Sequence, residues 1–320
     1  MSLTLDDVTN GAVAAIATYP KIGAFLDERR IRESTEANWP DAPAPLVFWL
    51  WMSQSELLGR IPTAALLAGL EGLLTALEVG TWVTGDWRGR VKKLVPPRDK
   101  SDFDHYSNFR SALFELNLSV RLVCSSTVTI QPDGPTRGCD LLIADANGPV
   151  AEVEAYAPQR GVRETYNQEL VTNWSMLVGG DPLDLLPPET DEAVRSSLNP
   201  TAVVDALDDF LKVGNFAGKR QQLAAAKHPS LLAIRAFGLT TNLAEVATTP
   251  MARDFAGRID PMAWEELPDS CLGLLFSLQG DIVSLGSALA AVISPNRQLP
   301  KAIGEYLRRC GALHEDQVEA

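Results

Sequence analysis

Two glutamates stand two positions apart in GPVAEVEAYAP, residues 148–158. The stretch mixes small and apolar residues and closes on a proline, which predicts a strand over 149–157. On a strand, residues i and i+2 share a face, so Glu152 and Glu154 point the same way. Unpaired charge is costly to bury, so two like charges on an apolar strand call for a partner. A hard divalent cation suits, because it accepts several carboxylate oxygens at once. Upstream, Asp140 opens the apolar segment CDLLIAD (139–145), and Glu115 lies within DFDHYSNFRSALFELNLSVRLV (102–123). Plainer roles compete. The glutamate pair also fits a strand with one wet face, where charge discourages edge pairing. Glu115 also fits the solvated side of an amphipathic helix.

The elements that must bring these acids together follow from the pattern around them. Phe103, Tyr106, Phe109, Leu113, Leu116 and Val120 recur at helical spacing, predicting a helix over 102–123. STVTIQ (126–131) is β-branched and reads as a strand. PDGPTRG is a turn, 139–145 a second strand and ANG (146–148) a tight turn into the third. An antiparallel hairpin turning there folds Asp140 back to lie near Glu154 or one residue pair beyond. Later segments predict helices over 162–178 and 200–228, then strands over 229–238, 270–280 and 286–295, and a helix over 301–313. Before them, residues 3–18, 22–36 and 62–78 read as helices, and FWLWM (48–52) as core or subdomain interface. The predicted class is α/β, a mixed sheet flanked by helices, behind a helical N-terminal region. The boundaries are 1–95 for that region, 96–295 for the α/β core and 296–320 for a C-terminal helix.

Bulk properties narrow the function classes. The chain has 320 residues, 46% of them hydrophobic, and a net charge of −13. Such an acidic protein does not hold polyanions through its overall field. A nucleic-acid ligand would need a local basic strip. One cluster qualifies: Arg88, Arg90, Lys92, Lys93, Arg98 and Lys100, with Trp82 and Trp87 close by for stacking. An ordinary solvated loop is the competing reading. Cys124, Cys139, Cys271 and Cys310 lie far apart, and His105, His228 and His314 are scattered, which argues against a structural zinc site. No apolar run is long enough for a bilayer, and the N-terminus lacks the features of a secretory signal. A cytoplasmic chain with free thiols is the expectation. GxSxG, GxxxxGK[ST] and GxGxxG are all missing, so hydrolase-elbow and nucleotide-loop chemistry is not signalled.

The order of helix, strand meander, helix and strand, with acids at these points, resembles the PD-(D/E)XK nuclease superfamily. In that family a helix bearing a glutamate precedes the meander, an aspartate opens its second strand, and an acidic-x-lysine triplet occupies the third. The matching residues are Glu115, Asp140 in GCDLLIAD, and Glu152 in EVE. KRQQLAAAKHPSLLAIRAFG (219–238) resembles the family's next helix-to-strand element. The resemblance implies a restriction-endonuclease-like fold and metal-dependent phosphodiester hydrolysis on DNA or RNA. It implies Mg2+ or Mn2+ held by Asp140 and Glu152, with Glu115 as a second-metal or outer-shell ligand and Glu154 as a further ligand. Gln222 would hold the water or the backbone, and Arg88, Arg90, Lys92 and Lys93 would hold phosphates. The departure is Glu154, which stands where the family has lysine and cannot stabilise negative charge. Two outcomes stay open. Either the cation comes from another element, through Lys219, Arg220 or Arg163, or the centre is silent and the scaffold binds nucleic acid or a protein.

Overall fold

The computed structural model describes residues 4–38, 45–54, 60–94, 102–132, 138–157, 217–235, 264–277 and 289–313, to which the structural statements below refer. The predicted helix over 162–178, most of that over 200–228, and Arg98, Lys100 and Arg163 fall outside them.

The N-terminal part is helical, as the periodicity predicts. It comprises α1 (Leu5–Ile16), the short α2 (Pro20–Gly23), α3 (Glu28–Asn38), α4 (Pro45–Gln54) and α5 (Arg60–Val79). Thr4 caps α1 with a capping box: its side chain accepts from the Asp7 N–H while the Asp7 carboxylate accepts from the Thr4 N–H. Residues 46–52 of α4 are all buried, so this helix is apolar all round, as a core helix should be. α1 lies tightly against it: a Cβ on Gly11 would come 2.7 Å from Trp51 Cδ1. The ring of Trp49 meets Phe109 edge-on at 5.1 Å, tying the helical part to the next long helix.

That helix is α7 (Asp102–Arg121). The basic segment before it contains two elements that composition hid, the three-residue β1 (Val83–Gly85) and α6 (Trp87–Lys92). Gly85 has φ +83°, and a Cβ there would sit 2.1 Å from the Ile130 carbonyl, so the turn from β1 into α6 requires glycine. The remaining elements are β2 (Thr127–Ile130), β3 (Leu141–Asp145), β4 (Gly148–Tyr156), α8 (Ala217–Ala224), β5 (Ser230–Arg235), β6 (Cys271–Ser277), β7 (Leu289–Ile293) and α9 (Lys301–Arg309).

The seven strands form one mixed sheet in chain order. β1 runs parallel to β2, β2–β3–β4 is an antiparallel meander, β5 and β6 run parallel to β4, and β7 returns antiparallel. Cys271–Ser277 is buried along its whole length, matching the continuous apolar run expected of a strand covered on both faces. One apolar cluster extends from Val8 in α1 to Leu313 beyond α9. The helical part and the sheet therefore share a core. No helix among the described residues is long and apolar enough to cross a membrane.

Candidate functional site

The β3–β4 hairpin sets the site. Leu141 pairs with Val153, so Asp140, one residue before β3, comes opposite Glu154. The pair is locked by reciprocal bonds. The Asp140 N–H donates to Glu154 Oε2 at 3.1 Å, and the Ala155 N–H donates to Asp140 Oδ2 at 2.9 Å. Both side chains are 0% exposed.

A cation completes this pair from another element. Lys219, in the first turn of α8, donates to Glu154 Oε1 at 2.6 Å and to Asp140 Oδ2 at 3.5 Å. Its side chain keeps 24% exposure, against none for the two carboxylates it bonds. Burial works against that charge, but Asp140 and Glu154 outweigh it and hold Lys219 above the ordinary lysine range. Gln222 is half-buried and lies on the same helix face three residues on. Arg220 is turned instead toward Glu266.

Glu115 arrives from α7 and is held by Arg90. The Arg90 Nε donates to Glu115 Oε2, and its Nη2 donates to the Gln131 carbonyl at 3.0 Å. The same Nη2 lies 3.7 Å from Asp140 Oδ1. A single buried guanidinium thus joins Glu115 to Asp140. Burial first, then the Asp140 charge, pushes Glu115 up to about 7, against the pull of Arg90. With all groups ionised, three carboxylates face two cations.

Glu152 faces different neighbours, although it shares a strand face with Glu154. Its Oε1 accepts the backbone N–H groups of Lys227 (2.8 Å) and His228 (3.2 Å), and its Oε2 accepts that of Cys139 at 3.4 Å. A Cβ on Gly138 would come 2.7 Å from Glu152 Oε2, so glycine leaves room for the carboxylate. Glu152 latches the α8–β5 loop to the chain entering β3. Nearby, burial first, and then Glu154, Glu152 and Asp140, push the Cys139 thiol upward, which favours its neutral form.

The expected basic strip is divided. Arg90 is fully buried, so it cannot belong to a solvent-facing strip; it is an internal counterion. Trp87 is buried as well, and Arg88 stacks over its ring at 4.3 Å. Arg88 and Lys92 are exposed, Lys93 is half-buried, and Trp82 stands 56% exposed. A signal for Arg90 was available in the sequence. Trp87, Arg90, Val91 and Leu94 recur at i, i+3, i+4 and i+7, one helical face, and all four are buried.

Among the described residues, no group of three or more histidine, cysteine, aspartate and glutamate side chains is arranged to hold a metal ion. What is present is a pair of carboxylates, Asp140 and Glu154, sharing one cation. Two carboxylates are hard oxygen donors of the number Mg2+ takes, the rest of its shell being water or phosphate oxygen. A hard divalent cation at that pair would have to displace the Lys219 ammonium from both carboxylates. Comparison of the chain with protein-family models, curated proteins and solved structures found no match.

Proposed function

We propose that this chain is a degenerate PD-(D/E)XK nuclease-like protein with a restriction-endonuclease-like core, acting in metal-dependent phosphodiester hydrolysis. The observation that carries the reading is Lys219. Its Nζ lies on Glu154 and Asp140 at 2.6 and 3.5 Å, which supplies from α8 the cation missing from the EVE triplet. Asp140 and Glu154 would hold Mg2+ or Mn2+. When bound, such an ion supplies a water of lowered pKa and neutralises phosphate charge. Lys219 then stabilises the charge that develops on the phosphate, the part a glutamate on β4 cannot perform. Gln222, three residues on along α8, would hold the attacked backbone. Glu152 keeps the loop before β5 in place. The substrate class is DNA or RNA, approached past Arg88, Lys92 and Lys93.

The test is cleavage of plasmid and single-stranded oligonucleotides with Mn2+ or Mg2+. Activity in the parent chain, abolished in Asp140→Asn and in Lys219→Met, supports the reading. Full activity in either variant rejects it.

A second reading keeps the scaffold and removes the chemistry, leaving a module that binds nucleic acid or a protein. The observation favouring it is the complete burial of Asp140 and Glu154 behind two side-chain cations. Salt-dependent binding without cleavage, lost on neutralising Arg88, Lys92 and Lys93, selects nucleic acid as the partner. No binding at all selects a protein partner.

A further inference from the structure

We infer that Cys124 and Cys310 form a reversible, peroxide-driven disulfide, which fastens the end of α9 to the turn between α7 and β2. The pair lies outside the acidic cluster, and its chemistry is independent of the proposed nuclease activity.

Four cysteines are spread through the chain, and packing brings two of them together. Cys139 and Cys271 are fully buried, whereas Cys124 and Cys310 are half-buried. Cys124 follows α7, and Cys310 caps the end of α9. The Cys310 S–H donates to Cys124 Sγ, so the two sulfurs are in contact. Both sides of that contact are held. Tyr306, one turn before Cys310, is fully buried, and its hydroxyl donates to the Leu122 carbonyl at 2.5 Å. Cys124 Sγ donates to the Arg121 carbonyl at 3.2 Å. Beyond α9, the Ala312 carbonyl accepts the Ala291 N–H at 2.7 Å, which anchors that end to β7.

The turn that presents Cys124 is strained. Cys124 and Ser125 have φ of +28° and +67°, in the left-handed region that residues with a Cβ rarely adopt. Two such residues in succession persist only where the surrounding structure fixes them. What this turn delivers is one thiol set against another. Two sulfurs are the number a disulfide needs, and fewer than the four ligands of a structural zinc site.

The two thiols have different roles. The bond from Cys310 holds the Cys124 thiol below its ordinary range, against burial and with help from the Arg309 charge. The same bond, with burial, pushes Cys310 upward. Cys124 is therefore the nucleophile. Its thiolate attacks one oxygen of hydrogen peroxide, the O–O bond breaks, and a sulfenic acid forms. The departing hydroxide takes up the proton that Cys124 released and leaves as water. The Cys310 sulfur then attacks the sulfenic sulfur, the S–O bond breaks, and the second hydroxyl leaves as water with the Cys310 proton. Two thiols lose two electrons, and one peroxide is reduced to two waters. A dithiol reductant reverses the bond by exchange.

The experiment maps thiols. The full chain is treated with one equivalent of hydrogen peroxide, unfolded in iodoacetamide, digested without reductant and read by peptide mass spectrometry. The expected result is a Cys124–Cys310 cross-linked peptide, with Cys139 and Cys271 alkylated. Dithiothreitol is expected to restore all four thiols. Cys310→Ser should stop at a Cys124 sulfenic acid, trapped by dimedone. Cys124→Ser should lose both the cross-link and the oxidation of Cys310. A parent chain in which no thiol reacts, or in which Cys124 is oxidised without the cross-link, overturns the inference. Oxidation of Cys310 at the parent rate in Cys124→Ser overturns the assignment of Cys124 as nucleophile. Should either variant fail to fold by circular dichroism, the map of the parent chain decides alone.

Discussion

Glu152 and Glu154 are the same residue type on the same face of β4, yet they do different work. Glu154 faces Asp140 across the hairpin and is neutralised by Lys219; Glu152 satisfies three backbone N–H groups. Stability and function should therefore separate between them. Glu152→Gln has one carboxamide oxygen for three donors. It should lower unfolding free energy by roughly 1–3 kcal/mol, the cost of leaving a buried donor unsatisfied, as read by urea denaturation. Divalent-ion binding should survive in that variant. Glu154→Gln should lose the ion while keeping the fold. Glu115 gives a prediction in pH. It titrates at 4.5 ordinarily and near 7 in the folded chain, so between those values the native state holds a proton that the unfolded chain has released. The stability this group contributes is complete below 4.5 and is lost as pH rises through 7. A shift of that size corresponds to on the order of 3 kcal/mol. Denaturation of the metal-free chain at pH 5 and pH 8 should show this slope, and Glu115→Gln should flatten it.

At the scale of elements, the register of one hairpin and the placement of two helices make the cluster. The meander was legible because turn residues, β-branched runs and the 146–148 turn agreed, and Asp140 lands opposite Glu154 as the hairpin predicts. What was not legible is that Glu152, on the same face, turns to the backbone N–H groups of Cys139, Lys227 and His228 instead of joining the cluster. β1 escaped notice because three residues carry no period. α6 escaped because a run of arginine and lysine masks its apolar face of Trp87, Val91 and Leu94. The chain order of the strands in the sheet, with β5 and β6 parallel to β4, depends on crossovers that local pattern does not encode. α6 offers a direct check on the positioning of Arg90. Asp86→Ala removes its cap and should cost about 1 kcal/mol. The larger consequence is expected at Glu115, whose carboxylate would lose its fixed partner, observable as a changed pH midpoint in the stability profile. Arg220→Ala is the contrasting case. The Arg220–Glu266 pair is 49% and 40% exposed, and its loss should change stability by less than about 1 kcal/mol.

Over the whole molecule, charge limits what the site can meet. A net charge of −13 repels polyanions at long range, and burial of Arg90 leaves Arg88, Lys92 and Lys93 as the cations of the strip that reach solvent among the described residues. Any nucleic-acid affinity should therefore be modest and should fall with added salt. Few phosphates are neutralised, so the salt slope should be shallow. Fluorescence anisotropy with a labelled oligonucleotide from 50 to 200 mM salt measures it, and neutralising Arg88, Lys92 and Lys93 together should reduce it further. The shared core from α1 to α9 means that the helical part is expected to unfold with the sheet, in one cooperative step. The proposed function requires Asp140, Glu154 and Lys219 to act as one centre. The most direct measurement is Mn2+-dependent cleavage of plasmid by the parent chain beside Asp140→Asn, Glu154→Gln, Lys219→Met and Glu152→Gln, each confirmed folded. Cleavage is expected from the parent and from Glu152→Gln, and none from the other three. Cleavage that survives loss of Glu154 or Lys219 but not of Glu152 would contradict the proposed function.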